Sequence, residues 1–165
     1  MTTVKTFLFV FFLLQTLPVF SQAGNTSDPG RLAELNAFWD EVSRTIEEGD
    51  FEGYAKTFHE KAILVSDPRG LAYPIAKALA GWKKDIEDTR SGLRKSSVAF
   101  RFNKRMGDST TAFESGIFHY SFEVNGEKGG YYVHFDGLLV KEDRWKMMME
   151  HQKGPATKEE WDALE

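Results

Sequence analysis

Three of the chain's four histidines, His119, His134 and His151, fall in its last third together with Asp136. Imidazole titrates near neutral pH, and a carboxyl in an apolar pocket keeps its proton, so such a group can pass protons to and from a small organic molecule. Asp136 and His134 are the expected catalytic pair, Asp136 as an acid of raised pKa and His134 as the base with His151 as its orienting partner; both histidines can equally be solvated rim residues. Asp136 can equally serve structure, as a carboxylate paired with His134, His151 or a backbone amide near Gly137. His119, Tyr132 and His151 are expected to contact the ligand, with Trp39, Tyr54 and Trp82 as aromatic walls, although aromatic stripes on helices also serve simply as core. Two histidines and a carboxylate are also metal-ligand types, but no ligand-spacing motif accompanies them, so neither a metal nor a cofactor is expected. Glu114 is read as a strand-edge charge reaching solvent. With no cysteine in the chain, thiol chemistry and cysteine metal sites are excluded.

Whether these groups meet depends on strand register. Asn125-Gly126 is the strongest hairpin signal, since a type I′ turn needs positive φ at both central residues. A two-residue loop there sets His119 opposite Tyr132, Ile117 opposite His134 and Ser115 opposite Asp136. A second two-residue turn at Glu142-Asp143 sets His134 opposite His151, Asp136 opposite Met149 and Leu138 opposite Met147. One face then carries the histidines and Asp136 with Trp145, Met147 and Met149. The other carries Ala112, Phe118, Tyr120, Phe122, Tyr131, Val133, Phe135 and Leu139, too apolar to stay in water.

The elements that must position this sheet precede it. Leu32, Leu35, Phe38, Trp39, Val42 and Ile46 recur at helical spacing until Gly49. Asp50 can cap a second, short helix with Phe51, Tyr54, Ala55 and Phe58 inward. Residues 62–65 read as a short strand closed by Asp67-Pro68-Arg69-Gly70. Pro74 opens a third helix to about Arg90, with Ile75, Leu79, Trp82 and Ile86 inward. Gly154-Pro155 is expected to break the sheet, and Thr157 with Glu160 resembles a capping box. Helices can cover one sheet face, and a second copy of the sheet is the economical cover for the other, so a homodimer is expected.

Residues 1–23 read as a secretory signal: Lys5, an apolar run to Leu17, then the small residues around Ser21-Gln22-Ala23. The run stops at Pro18, short of the ~20 residues that span a bilayer. The expected location is secreted or periplasmic. Residues 24–30 read as a flexible lead-in, 31–153 as one domain and 154–165 as a tail with a short helix. With 21 basic against 25 acidic side chains, nucleic acid is not expected as a partner.

The order of elements resembles the cystatin-like α+β cone of the nuclear transport factor two superfamily, and within it the SnoaL-like exported domains. The resemblance is carried by Glu48-Gly49-Asp50-Phe51, by Phe58-His59-Glu60-Lys61-Ala62-Ile63-Leu64, and by Lys141-Glu142-Asp143-Arg144-Trp145-Lys146 with His151. It implies three N-terminal helices packed on a curved antiparallel sheet, forming a cone with an internal pocket. Against ketosteroid isomerase the match is partial. Asp67-Pro68 falls one position late, where Ser66 should be, and Asp136 takes the place of a protonated aspartate. Val42 stands where a hydrogen-bonding tyrosine would be.

Two functions stay open. One is an exported domain whose largely apolar pocket holds a small hydrophobic or carboxylate-bearing molecule while Asp136 and His134 move a proton, in an isomerisation, cyclisation or dehydration. The other is a non-catalytic dimeric ligand-binding or accessory module. The first requires Asp136 and His134 to point into the pocket.

Overall fold

The computed structural model of the protein describes residues 28–164. The expected signal, residues 1–23, and the lead-in to residue 27 lie outside the described residues. Helix α1, Pro29–Glu48, starts where the Asp28 carboxylate accepts the amide of Gly30 and Pro29 sets the first helical φ. It ends at Gly49, whose left-handed φ of 70° closes the last turn. Its three-and-four spacing buries Leu35, Phe38, Trp39, Val42 and Ile46. Asp50 caps α2, Phe51–Lys56, by accepting the amide of Gly53 at 2.9 Å.

Strands β1 (Phe58–Ser66) and β2 (Leu71–Pro74) follow, joined by a 3-10 turn over Asp67–Arg69. Helix α3, Ile75–Arg90, leads to β3 (Arg94–Gly107), β4 (Thr111–Val124), β5 (Glu127–Lys141) and β6 (Trp145–Ala156). Helix α4, Lys158–Asp162, closes the chain behind the capping box of Thr157 and Glu160. The described residues thus hold four helices, not three N-terminal ones. Only α1 and α3 exceed seven residues; α2 has six, and α4, with five, lies at the C-terminus.

The six strands form one curved sheet in the order β2-β1-β6-β5-β4-β3. It is mixed rather than antiparallel, because β1 and β6 pair in parallel, with the rest of the chain as their connection. Register between β4 and β5 follows the Asn125-Gly126 loop: His119 opposes Tyr132, Ile117 opposes His134 and Ser115 opposes Asp136. Asn125 and Gly126 have φ of 53° and 81°.

The next hairpin corrects the expected pairing. Its loop has three residues, since Lys141 opposes Trp145, and register shifts twice more, around Met148 and Lys153. Asp136 therefore opposes His151 rather than Met149, Leu138 opposes Met149 rather than Met147, and His134 opposes Gly154 rather than His151. Trp145 and Met147 move to the face of Leu139 and Phe135. Each extra residue bends its strand, and a third irregularity near Asn103 does the same to β3. Gly116 sits opposite that bend, where an added Cβ would lie 2.0 Å from the carbonyl oxygen of Arg101. Strand β6 runs on through Gly154-Pro155, because beyond Gln152 it has no β1 partner and an edge position tolerates proline.

The curved sheet wraps a core of Trp39, Phe118 and Phe135 with the aliphatic face of α1. Phe100 and Phe102 pack against it from β3, and Trp39 and Phe100 centroids are 4.4 Å apart. Glu114 does not reach solvent: it is fully buried on this face. It is neutralised by Arg105 at 2.6 Å and accepts the indole N–H of Trp39. Arg105 also donates to Asn36 of α1 and lies over Phe102, so the ion pair ties α1 to the sheet.

Candidate functional site

A cavity of about 280 Å³ lies between the helices and the inner face of the sheet. Among the described residues, ten lining side chains are aromatic, so the wall is chiefly π surface and hydrocarbon. Trp39 and Val42 come from α1, Tyr54 from α2 and Trp82 from α3; Phe100, Phe118, Tyr120 and Phe135 come from the sheet. Tyr54 packs edge-on against Phe58 and beside Trp82. Trp39, Tyr54 and Trp82 thus stand in the wall where a ligand would touch them.

The polar groups are few. Strand β6 alternates, and its inward residues past Met147 are Glu150 and Gln152, set by pairing with Gly137 and Phe135. Gly137, opposite Glu150, has no side chain, and a Cβ there would press on Met147 at 3.3 Å. Glu150 accepts a hydrogen bond from Gln152 Nε2 at 2.7 Å and makes no other among the described residues. Burial raises its pKa above the usual carboxylate value, and the hydrogen bond from Gln152 only partly opposes this. Glu150 is half-buried and lines the cavity, where the surrounding side chains replace part of its water.

Burial also raises the Tyr54 phenol well above 10, helped by the Glu150 charge. Its hydroxyl has no hydrogen-bond partner among the described residues. Arg94, Tyr120, Tyr131, Asp85 and Arg69 also line the wall. Tyr120 Oη lies 3.1 Å from Ser96 Oγ, which Arg94 Nε also reaches at 3.0 Å.

The remaining expected site residues lie on the other face of the sheet. Asp136 is held by Ser115 Oγ at 2.5 Å and Lys153 Nζ at 2.8 Å. Burial opposes its ionisation, but these hydrogen bonds outweigh it and hold the carboxyl below the usual range, contrary to the expected raised acid. His151 reaches Asp136 at 3.6 Å and binds Asp67 at 2.9 Å, so Asp67 too is directed outward. The inward position at that strand end belongs to buried Ser66, which opposes Gln152. His134 pairs with Glu160 at 3.3 Å. His119 stacks on Tyr132 at 4.1 Å, and Trp161 of α4 covers both. Burial lowers the pKa of His119.

Asp136 and His134 therefore do not face the cavity. The side chains converge as pairs on the outer face, with His134 and His151 parted by the bulges of β6. Among the described residues no group of three His, Asp or Glu is arranged to hold a metal ion. Glu150 was not among the expected residues. Its signal is an acidic side chain in the inward row of an apolar sheet face, directly opposite a glycine.

What this arrangement can do is clear from its chemistry. A carboxyl whose pKa burial raises and a buried phenol can both offer hydrogen bonds to a molecule in the cavity. Val42, in the wall, offers no donor; Tyr54 supplies one from the next helix.

No family model matches the chain, and no curated protein matches it. Solved structures do. An NTF-2 like protein of unknown function from Shewanella oneidensis is 18% identical at a TM-score of 0.57, over 75% of this chain and 99% of its own. The protein Aln2 from a Streptomyces species is 15% identical at 0.62, over 76% and 91%. A ketosteroid isomerase-like protein from Erwinia carotovora atroseptica is 14% identical at 0.54, over 78% and 98%. At these identities the likeness concerns the fold. The helices, the curved mixed sheet and these matches together show that the chain has the NTF-2-like fold.

Proposed function

We propose that this chain is an exported domain that binds one small, largely apolar organic molecule in the aromatic cavity, and that Glu150 is its proton-transfer group. The observation that carries this is a carboxyl within that cavity whose hydrogen-bond partner is the neutral Gln152. A carboxyl whose pKa is raised can donate its proton to a carbonyl oxygen, and the carboxylate so formed can take the proton from the adjacent carbon, which leaves the enol and restores the acid. Tyr54 adds a second donor. The role first assigned to Asp136 and His134 passes to Glu150 and Tyr54, since only the latter pair lines the cavity.

The outer face supports the homodimer reading. Ile63, Met149, Leu138, Phe113 and Met106 oppose one another in turn across five strands, forming one apolar row. Ile63 and Met106 are 41 and 40% exposed. A second copy would cover that row beside α4.

The test is proton exchange at the carbon next to the carbonyl of an aromatic ketone such as 2-acetonaphthone, followed by NMR in deuterated buffer. Wild-type chain is expected to accelerate exchange, and Glu150→Gln to lose roughly 10²-fold or more of that acceleration. If the ketone binds with no exchange in either protein, the chain is a binding module without this chemistry.

A further inference from the structure

We infer that the molecule bound in the cavity carries a carboxylate on its flat apolar body, and that Arg94 is the residue that selects for it. The inference rests on the reading that the cavity binds a small organic molecule. Arg94 opens β3 and forms part of the cavity wall, with only 13% of its side chain exposed. Three sides of its guanidinium are held by the protein. Nε donates to Ser96 Oγ at 3.0 Å, Nη2 donates to Tyr120 Oη at 3.3 Å, and the plane lies 4.4 Å over the Phe122 ring.

The remaining nitrogen is different. Nη1 approaches Asp85 Oδ1 at 3.6 Å, too far for a hydrogen bond, and makes no other contact of that kind among the described residues. Asp85 is a weak competitor, since it sits on α3 with 55% of its side chain in solvent. Arg69, on the 3-10 turn, lines the same cavity and makes no ion pair among the described residues. Arg94 is the less solvated partner of the Arg94–Asp85 pair, whereas Arg69 is exposed. The acid, Glu150, lines the same cavity and is bonded to Gln152, not to either arginine.

A guanidinium fixed in orientation with one donor edge unfilled suits a planar oxyanion, which it can meet without first losing the entropy of its own stem. A neutral aromatic guest would leave that edge unpaired at the cavity wall. A guest with a carboxylate fills it and displaces only Asp85, which returns to water.

The test compares 2-naphthoate with the neutral 2-naphthalenemethanol at pH 7. Binding is followed by quenching of the fluorescence of Trp39 and Trp82, which line the cavity, and confirmed by calorimetry. The naphthoate is expected to bind at least about tenfold tighter, the low end for a hydrogen bond to a charged group. That ratio should fall towards one in Arg94→Gln, recover in part in Arg94→Lys, and rise in Asp85→Asn, which unburdens Nη1. A ratio near one in the wild type, or a high ratio that survives Arg94→Gln, overturns the inference. Should Arg94→Gln fail to fold, an Asp85→Asn ratio no higher than wild type overturns it as well. If neither probe binds, the cavity-binding reading itself falls.

Discussion

Replacing Glu150 by glutamine should make the protein more stable, and more so as pH rises. In the unfolded chain Glu150 titrates near the ordinary value of 4.5; in the folded chain burial raises it. Between those two values the folded state holds a proton that the unfolded state has lost, so wild-type stability falls with rising pH. The slope for one such group approaches 1.4 kcal/mol per pH unit across that window and vanishes above the folded pKa. Glutamine keeps the shape and can still accept from Gln152 Nε2, but it never ionises. The stability of Glu150→Gln minus that of wild type should therefore be near zero at pH 4, climb by about 1.4 kcal/mol for each unit of the shift, and level off. Urea unfolding at half-unit steps from pH 4 to 8, read by tryptophan fluorescence, gives this difference, in which the other titrating groups cancel. A difference that stays flat across the range, or falls, would show that Glu150 ionises freely and would refute the enclosed-acid account.

Other predictions come from the same structure. Arg105→Met should lower stability by about 3–5 kcal/mol, because fully buried Glu114 keeps only the Trp39 indole and loses its counter-charge; adding Glu114→Gln should restore much of it. Asp136 contributes stability that is present above its unfolded value of 3.8 and lost as pH falls below it, so Asp136→Asn should weaken the protein at pH 7 and cease to matter in strong acid. His119, lowered by burial, disfavours the folded state as pH drops through 6.5; Trp161→Ala should uncover it and return its NMR titration towards the ordinary value. Gly116→Ala should disturb the β3–β4 pairing, as a Cβ has no room against the Arg101 carbonyl, and amide exchange in those strands should quicken.

Legibility in the sequence follows from how local each signal is. The α1 face, its stop at Gly49, the α4 capping box and the β4–β5 register are all decided by residues close together, and the Asn125-Gly126 loop alone aligns Ser115 with Asp136. The β5–β6 pairing is not local in this sense. Its loop has Arg144 as a third residue, and the Met147-Met148-Met149 run reads equally well with or without an extra residue, so hydrophobic alternation cannot reveal the shift there. Strand β2 was missed for a related reason. Four residues ending in proline, which pair only with β1, carry no period of their own. The site was harder still. Both sheet faces are rich in apolar side chains, and nothing in the alternation says which one the helices cover. The histidines drew the chemistry to the outer face, while Glu150, alternating with His151 on the same strand, stood on the inner one.

The most direct test of the central claim is the titration of Glu150 itself. With 13C-labelled glutamate carboxyls, the Glu150 signal is identified by its loss in Glu150→Gln and followed from pH 3 to 9, with the cavity empty and with 2-acetonaphthone bound. The account predicts a midpoint above the ordinary carboxylate range, moving higher still when the ketone oxygen takes a hydrogen bond that only the protonated acid can give. A midpoint near ~4.3 that ignores the ketone would contradict it.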